Sequence, residues 1–247
     1  MFDAEKEIKR IKDWIKDWFE INGPKASAVI GLSGGKDSSV CAALLVKALG
    51  KDRVVGVLMP DGTQADISDS RKLVEHLGLK HYEINIGAAT TALKDTLAEQ
   101  FELSGDTCIN IPPRIRMTTL YAVAQSLPNG GRVANTCNKS EDYIGYSTKY
   151  GDAAGDFAIL SDFTVSEVLP IGDALGLPYE LVHKTPSDGL CGLTDEDKIG
   201  FTYATLDKYI NEGVCEDMEI RRKIDRMHVL NLHKLRLMPG YKKGDLE

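Results

Sequence analysis

The sequence predicts an α/β fold, a parallel sheet flanked by helices with a helical C-terminal part. Three observations carry this. A short buried-strand pattern runs into a glycine-rich loop and then a helical run between residues 27 and 49; strands and helices then alternate as far as residue 136; and beyond residue 160 the periodicity is mainly helical. Alternation at this spacing pairs strands in parallel through right-handed crossovers.

Residues 3 to 21 place Ile8, Ile11, Ile15, Trp18 and Phe19 at helical spacing among Lys and Glu, which predicts an amphipathic opening helix ended by Asn22, Gly23 and Pro24. Ser27 to Leu32 reads as a buried strand, Ser33 to Asp37 as a loop and Ser38 to Leu49 as a helix. The unit repeats as a strand at Arg53 to Met59, a loop at Pro60 to Thr63, a helix at Ile67 to Leu77, a strand at Lys80 to Ile86 and a helix at Ala88 to Phe101. A helix opened by Pro113 and running to Ser126 comes next, then Gly130 and Gly131 and a strand near Val133 to Thr136. A loop rich in Gly, Pro and Asp at Lys184 to Asp195 precedes a charged helix at Glu216 to Lys234. The stretches Asp61 to Asp66, Gly87 to Thr90 and Lys184 to Asp195 read as mobile loops. With no repeat, low-complexity tract or linker, one domain spans residues 1–247.

Composition narrows the function classes. The 247 residues carry 30 Lys+Arg against 37 Asp+Glu, a formal charge of −7, which argues against nucleic-acid binding through a basic stripe but leaves room for a small anion. No apolar run reaches 18 residues and no signal peptide opens the chain, so no membrane association and a cytoplasmic location are expected. The five cysteines, Cys41, Cys108, Cys137, Cys191 and Cys215, never form C-x-x-C, which fits a reducing compartment and speaks against zinc.

The chemistry concentrates in Gly31 to Ser39. A Walker A loop needs Gly six places before its Lys and Ser or Thr directly after it, and those places hold Ile30 and Asp37. What remains still suits phosphate, because Gly34 and Gly35 let the backbone approach an anion and a helix starting there aims free N–H groups at it. Ser33 and Ser38 add hydroxyls and Lys36 a charge, whereas Asp37 would repel phosphate unless it binds Mg²⁺. The plainer reading is a tight turn with Asp37 as an N-cap.

The string Ser33-Gly-Gly-Lys-Asp-Ser38 resembles the pyrophosphate loop of the N-type ATP pyrophosphatases, which cleave ATP between the α- and β-phosphates to adenylate a substrate. Asn138, Ser140 and Glu141, followed by Gly145-Tyr-Ser-Thr-Lys-Tyr-Gly-Asp152 and by Asp156, are similar to the NAD synthetase pattern. Arg114 to Met117, Lys184 to Ser187, and His233 to Arg236 before Pro239 match in the same order. The resemblance implies an adenine nucleotide alpha hydrolase-like (Rossmann-like) fold and ammonia-dependent amidation of deamido-NAD, giving NAD, AMP and pyrophosphate.

Carried over residue by residue, it implies Mg²⁺ on Asp37 and Glu141. ATP would meet Gly31, Leu32, Ser33, Gly34, Gly35, Lys36, Asp37, Ser38, Thr136 and Ser187. Deamido-NAD would meet Arg116, Lys149, Asp156, His233 and Lys234, with Arg114 a further possibility. Asp152 is the candidate collector of ammonium and acceptor of its proton, beside Asp156. Read without the resemblance, Glu141 is a first-turn helix carboxylate, Lys149 and Arg116 are solvated charges, His233 is a surface histidine, and Asp152 and Asp156 form an Asx-turn pair. Many relatives carry Lys where this chain has Val165, and Lys36 is the candidate replacement. The resemblance also implies a homodimer, to which the apolar face of the first helix could contribute, and the absence of a glutaminase domain implies free ammonia or ammonia from a separate protein. The alternatives are an RNA-modifying ligase or thiolase, disfavoured by the charge and the absence of C-x-x-C, and a non-catalytic nucleotide sensor, disfavoured by Glu141.

Overall fold

The computed structural model of the chain describes residues 2–64, 66–184, 194–236 and 238–241, so Ser187 and Cys191 lie outside the described residues. Strands β1 (Ser27–Gly31), β2 (Val54–Leu58), β3 (Lys80–Glu83), β4 (Gly131–Asn135) and β5 (Phe157–Ala158) form one parallel sheet in the order β3-β2-β1-β4-β5. The helices are α1 (Ala4–Asn22), α2 (Lys36–Leu49), α3 (Ile67–Leu77), α4 (Gly87–Ala98), α5 (Gly105–Ser126), α6 (Lys139–Ile144), α7 (Val165–Ala174), α8 (Tyr179–Val182), α9 (Asp195–Ile199), α10 (Tyr203–Glu212) and α11 (Met218–Leu235).

Alternation along the strands decides which layer each side chain joins. Ala28 and Ile30 of β1, with Val54 and Leu58 of β2, pack among Ile15, Phe19, Leu44, Leu45 and Ile171 from α1, α2 and α7. Val29, Val55, Val57 and Val133 face the other way, toward Ile115, Leu120 and Ala124 of α5. A third apolar group, with Ile144, Val165, Ile199, Phe201, Tyr203, Leu206 and Ile224, gathers the C-terminal helices. Edge strand β3 is exposed throughout and carries Lys80 and Glu83, charges that discourage pairing with another chain. Among the described residues no helix is long and apolar enough to cross a membrane.

The structure corrects several expected boundaries. Helix α2 starts at Lys36, two residues before Ser38, because Gly35 is the extended N-cap at φ −83° and ψ 169°. Helix α5 starts at Gly105 with Pro112 and Pro113 inside it, whereas the sequence places Pro113 at its first turn. The Ser104 hydroxyl accepts from the Thr107 amide at 3.2 Å and so begins the helix upstream. Packing then keeps the prolines, since a Cβ on Gly151 would come within 2.9 Å of the Pro113 side chain. Gly87 to Thr90 form the first turn of α4, and the Asn85 carboxamide oxygen accepts from the Gly62 and Gly87 amides at 3.1 and 2.9 Å. The apolar face of α1 is spent inside the chain's own core through Ile8, Ile11, Ile15 and Phe19, so it is not available to a partner subunit.

Candidate active site

Strand order reverses around β1, with β2 and β3 on one side and β4 and β5 on the other, and a ligand crevice belongs at the carboxyl ends beside that switch. There the ends of β1, β2 and β4 open into a cleft of about 490 Å³. Gly31, Leu32, Ser33, Gly35, Lys36, Asp37, Ser38, Thr136, Glu141, Arg116 and Asp152 all line it.

The glycine loop holds itself in shape. The Ser38 hydroxyl lies 3.0 Å from the Ser33 hydroxyl, accepts from the Ser33 amide at 3.3 Å and donates to the Gly35 carbonyl at 3.2 Å. Gly34 sits at φ +76°, and a Cβ there would meet the Ser70 amide at 2.7 Å and the Asp69 side chain at 2.6 Å, so the loop docks on α3 through a position only glycine fits. Among the described residues no side chain caps α2, so its first-turn amides keep the free N–H groups that suit an anion, and Lys36, Asp37 and Ser38 of that turn line the cleft.

Beside these amides stands an acidic group around one buried ammonium. The Lys36 Nζ lies 2.9 Å from Asp37 Oδ2, and Asn138 Nδ2 donates to Asp37 Oδ1 at 3.0 Å. Asn138 also caps α6: its Oδ1 accepts from the Glu141 amide at 3.0 Å, and Glu141 Oε2 accepts from the Asn138 amide at 3.3 Å. Glu141 is thus a first-turn helix carboxylate that also lines the cleft. Burial, then repulsion from Asp37, pushes the Glu141 carboxyl up to about 8, with Lys36 pulling the other way. Burial alone would lower the Lys36 ammonium, but Asp37, Glu141 and Asp195 hold it above its ordinary value. Val165 packs in the third apolar group, which also contains Tyr203, and the Lys36 ammonium lies 5.6 Å from the centre of the Tyr203 ring.

Farther along, the half-buried Arg116 donates Nε to the Met59 carbonyl at 3.1 Å, joining α5 to the end of β2. Burial lowers its guanidinium, against the pull of Asp61, Asp152 and Asp66. Asp152 is an exposed residue of the cleft wall, and desolvation of its carboxyl by the groups packed around it raises it, opposed by the Thr148 amide, which donates to Oδ1 at 2.8 Å. Across the cleft, Lys184 bridges Asp66 Oδ2 at 3.2 Å and Asp69 Oδ2 at 2.6 Å.

Four residues expected at the dinucleotide are not brought into this cleft. The Lys149 ammonium lies over the Tyr150 ring at 5.2 Å while its carbonyl accepts from Arg114 Nε at 3.3 Å. Asp156 Oδ2 accepts from the Val133 amide at 2.7 Å and Oδ1 from the Tyr121 hydroxyl at 3.3 Å, pinning β4. His233 is exposed on α11, its Nδ1 3.0 Å from the Leu230 carbonyl. Lys234 donates to the Gly145 and Ser147 carbonyls at 2.7 and 3.0 Å. Sequence reasoning in turn passed over Asn138 as the brace of Asp37, Asp195 and Tyr203 beside the acidic group, and Lys184 as a bridging cation. Only Asn138 had a readable signal, an N-cap followed three residues later by Glu.

The description of the matching family is NAD synthase, and its model covers residues 7–245. The chain is 36% identical to the NH(3)-dependent NAD(+) synthetase of Pyrococcus furiosus, over 98% of this chain and 96% of that one. Among solved structures, an NMN synthetase from Francisella tularensis superposes with a TM-score of 0.89 at 32% identity, covering 98% of this chain and 100% of that one. An NH3-dependent NAD synthetase from Campylobacter jejuni superposes with a TM-score of 0.78 at 26% identity, with the same coverage. A phosphate-type loop at the switch point of a five-stranded parallel sheet, together with these likenesses over nearly the whole chain, makes it a member of the NAD synthase family.

Proposed function

We propose that this chain is an ammonia-dependent NAD synthetase, a carbon–nitrogen ligase that consumes ATP. The observation that carries the reading is the uncapped N-terminus of α2 facing, in one cleft, the carboxylates of Asp37 and Glu141. A nicotinate carboxylate oxygen of deamido-NAD attacks the α-phosphorus of ATP; the bond from that phosphorus to the α–β bridging oxygen breaks, and pyrophosphate leaves. Ammonia then attacks the acyl carbon, and the bond to AMP breaks.

The glycine loop and α2 amides, with Thr136 and Ser187, bind the ATP phosphates and orient them for in-line attack. Lys36 supplies a fixed positive charge in place of the lysine that relatives carry where this chain has Val165. Asp152 draws in ammonium and accepts its proton, a role suited to a carboxyl held above its usual range. Arg116, Lys149, Asp156, His233 and Lys234 bind the dinucleotide, and a second subunit of a homodimer completes the site around the last four. The enzyme works in the cytoplasm.

Among the described residues no group of three or more His, Cys, Asp or Glu side chains could hold a metal by itself, but Mg²⁺ is commonly held by one or two carboxylates plus substrate phosphates, and Asp37 and Glu141 both line the cleft where those phosphates would lie. Held by Asp37 and Glu141, Mg²⁺ would offset the charge that develops on the leaving pyrophosphate. A second reading takes the mononucleotide as substrate and NMN as product, and the close superposition on the Francisella tularensis NMN synthetase favours it. One assay separates them: purified protein with Mg²⁺ and ATP is offered deamido-NAD or nicotinate mononucleotide, with ammonium or glutamine. NAD and AMP formed from deamido-NAD and ammonium support the first reading; NMN formed in preference to NAD supports the second; ATP bound with no AMP released removes both.

A further inference from the structure

Tyr203, the first residue of α10, is 4% exposed, and among the described residues its buried hydroxyl has no hydrogen-bond partner. An unpaired buried hydroxyl is costly, so a position that keeps one points to a partner that arrives from elsewhere. The ring is well fixed. It packs in the third apolar group, its backbone amide donates to Glu196 Oε1 at 2.8 Å, and the Lys36 ammonium lies over it. The charges acting on the phenol are Glu141, Asp195 and Asp37, the same carboxylates that surround Lys36.

We propose that the Tyr203 hydroxyl is a positioning group for the metal, bonded to a water molecule in the coordination sphere of the divalent cation held by Asp37 and Glu141. Coordinated water is a strong donor, and the phenol oxygen is a neutral acceptor among carboxylates. Burial and the neighbouring carboxylates keep the phenol protonated throughout the working range. The inference rests on reading Asp37 and Glu141 as metal ligands, and the test separates the two.

Tyr203→Phe keeps the ring, its packing and the Lys36 contact and removes a single oxygen. Mn²⁺ binding in the presence of ATP, followed by the electron paramagnetic resonance of free Mn²⁺, is expected to weaken about fivefold, the loss of one hydrogen bond. The melting point of the metal-free variant should be unchanged or higher, and half-maximal turnover should need more Mg²⁺ at an unchanged KM for the nicotinate substrate. Equal Mn²⁺ affinity in variant and wild type overturns the inference while the metal site stands. A lower metal-free melting point in the variant makes the hydroxyl a structural group and also overturns it. A wild type that binds no Mn²⁺ with ATP overturns the metal reading and this inference together.

Discussion

The cleft at the ends of β1 and β4 and the four residues outside its lining, Lys149, Asp156, His233 and Lys234, are built in opposite ways. In the cleft, functional side chains brace one another: Ser33 and Ser38 shape the loop, and Lys36 and Asn138 occupy the two oxygens of Asp37. Lys149, Asp156, His233 and Lys234 instead find separate partners in their own surroundings: the Lys149 ammonium lies over the Tyr150 ring, Asp156 accepts from the Val133 amide and the Tyr121 hydroxyl, His233 Nδ1 lies beside the Leu230 carbonyl and Lys234 donates to the Gly145 and Ser147 carbonyls. The first arrangement is preorganised within one chain. The second is not gathered around a ligand within one chain, and the proposed homodimer would have to supply the remaining contacts.

The sharpest way to break this contrast is at Asp37. Asp37→Asn removes a metal carboxylate and half of the buried ion pair with Lys36, and a cation's charge offset is worth several kcal/mol in the transition state, so kcat/KM should fall on the order of 10³-fold. A loss under tenfold in steady-state kinetics would show that the acidic group is structural. Next comes the loop. Gly34→Ala should cost about 2 kcal/mol in urea unfolding, since the position combines a left-handed backbone with contacts under 3.0 Å to α3. Gly35→Ala, at φ −83° with only the Ser33 hydroxyl at 3.4 Å, should weaken ATP binding with little change in stability. Equal destabilisation by both would contradict a loop docked on α3 through one glycine.

Among the four residues outside the cleft, His233→Ala should raise KM for the nicotinate dinucleotide roughly tenfold and leave ATP affinity unchanged, the pattern of lost uniform binding. An unchanged KM would remove His233 from the dinucleotide site. The smallest effect is on pH. The fold favours protonated Glu141, so this group's contribution to stability is full below the ordinary carboxylate range and is lost as pH rises toward about 8. The melting point of the metal-free protein should therefore decline by a few degrees between pH 6 and 9, and Glu141→Gln should flatten that decline. A decline of equal size in the variant would assign it elsewhere.

The fold and the phosphate loop were legible because their signals are local. The short continuous apolar runs of β1 and β2, the helical spacing of Ile8, Ile11, Ile15 and Phe19, and the string from Gly31 to Ser38 each encode their structure within a few residues. Boundaries failed where tertiary contacts decide. Proline reads as a first-turn residue, but Ser104 caps α5 upstream and Gly151 packs against Pro113. The brace of Asp37 by Asn138 joins residues 101 positions apart, and the approach of Tyr203 to Lys36 joins residues still more distant, so no spacing rule reveals either. Val165 shows the limit of pattern matching: the sequence marks the missing lysine, but only the structure puts Val165 and the ring beneath Lys36 in one apolar group.

The most direct test of the account is ATP–pyrophosphate exchange without ammonium. A site that grips the β- and γ-phosphates at the α2 N-terminus and adenylates a nicotinate carboxylate should incorporate labelled pyrophosphate into ATP only when that nicotinate substrate is present, and Asp37→Asn should abolish the incorporation. ADP released in place of exchange, or exchange that proceeds without the nicotinate substrate, would contradict it.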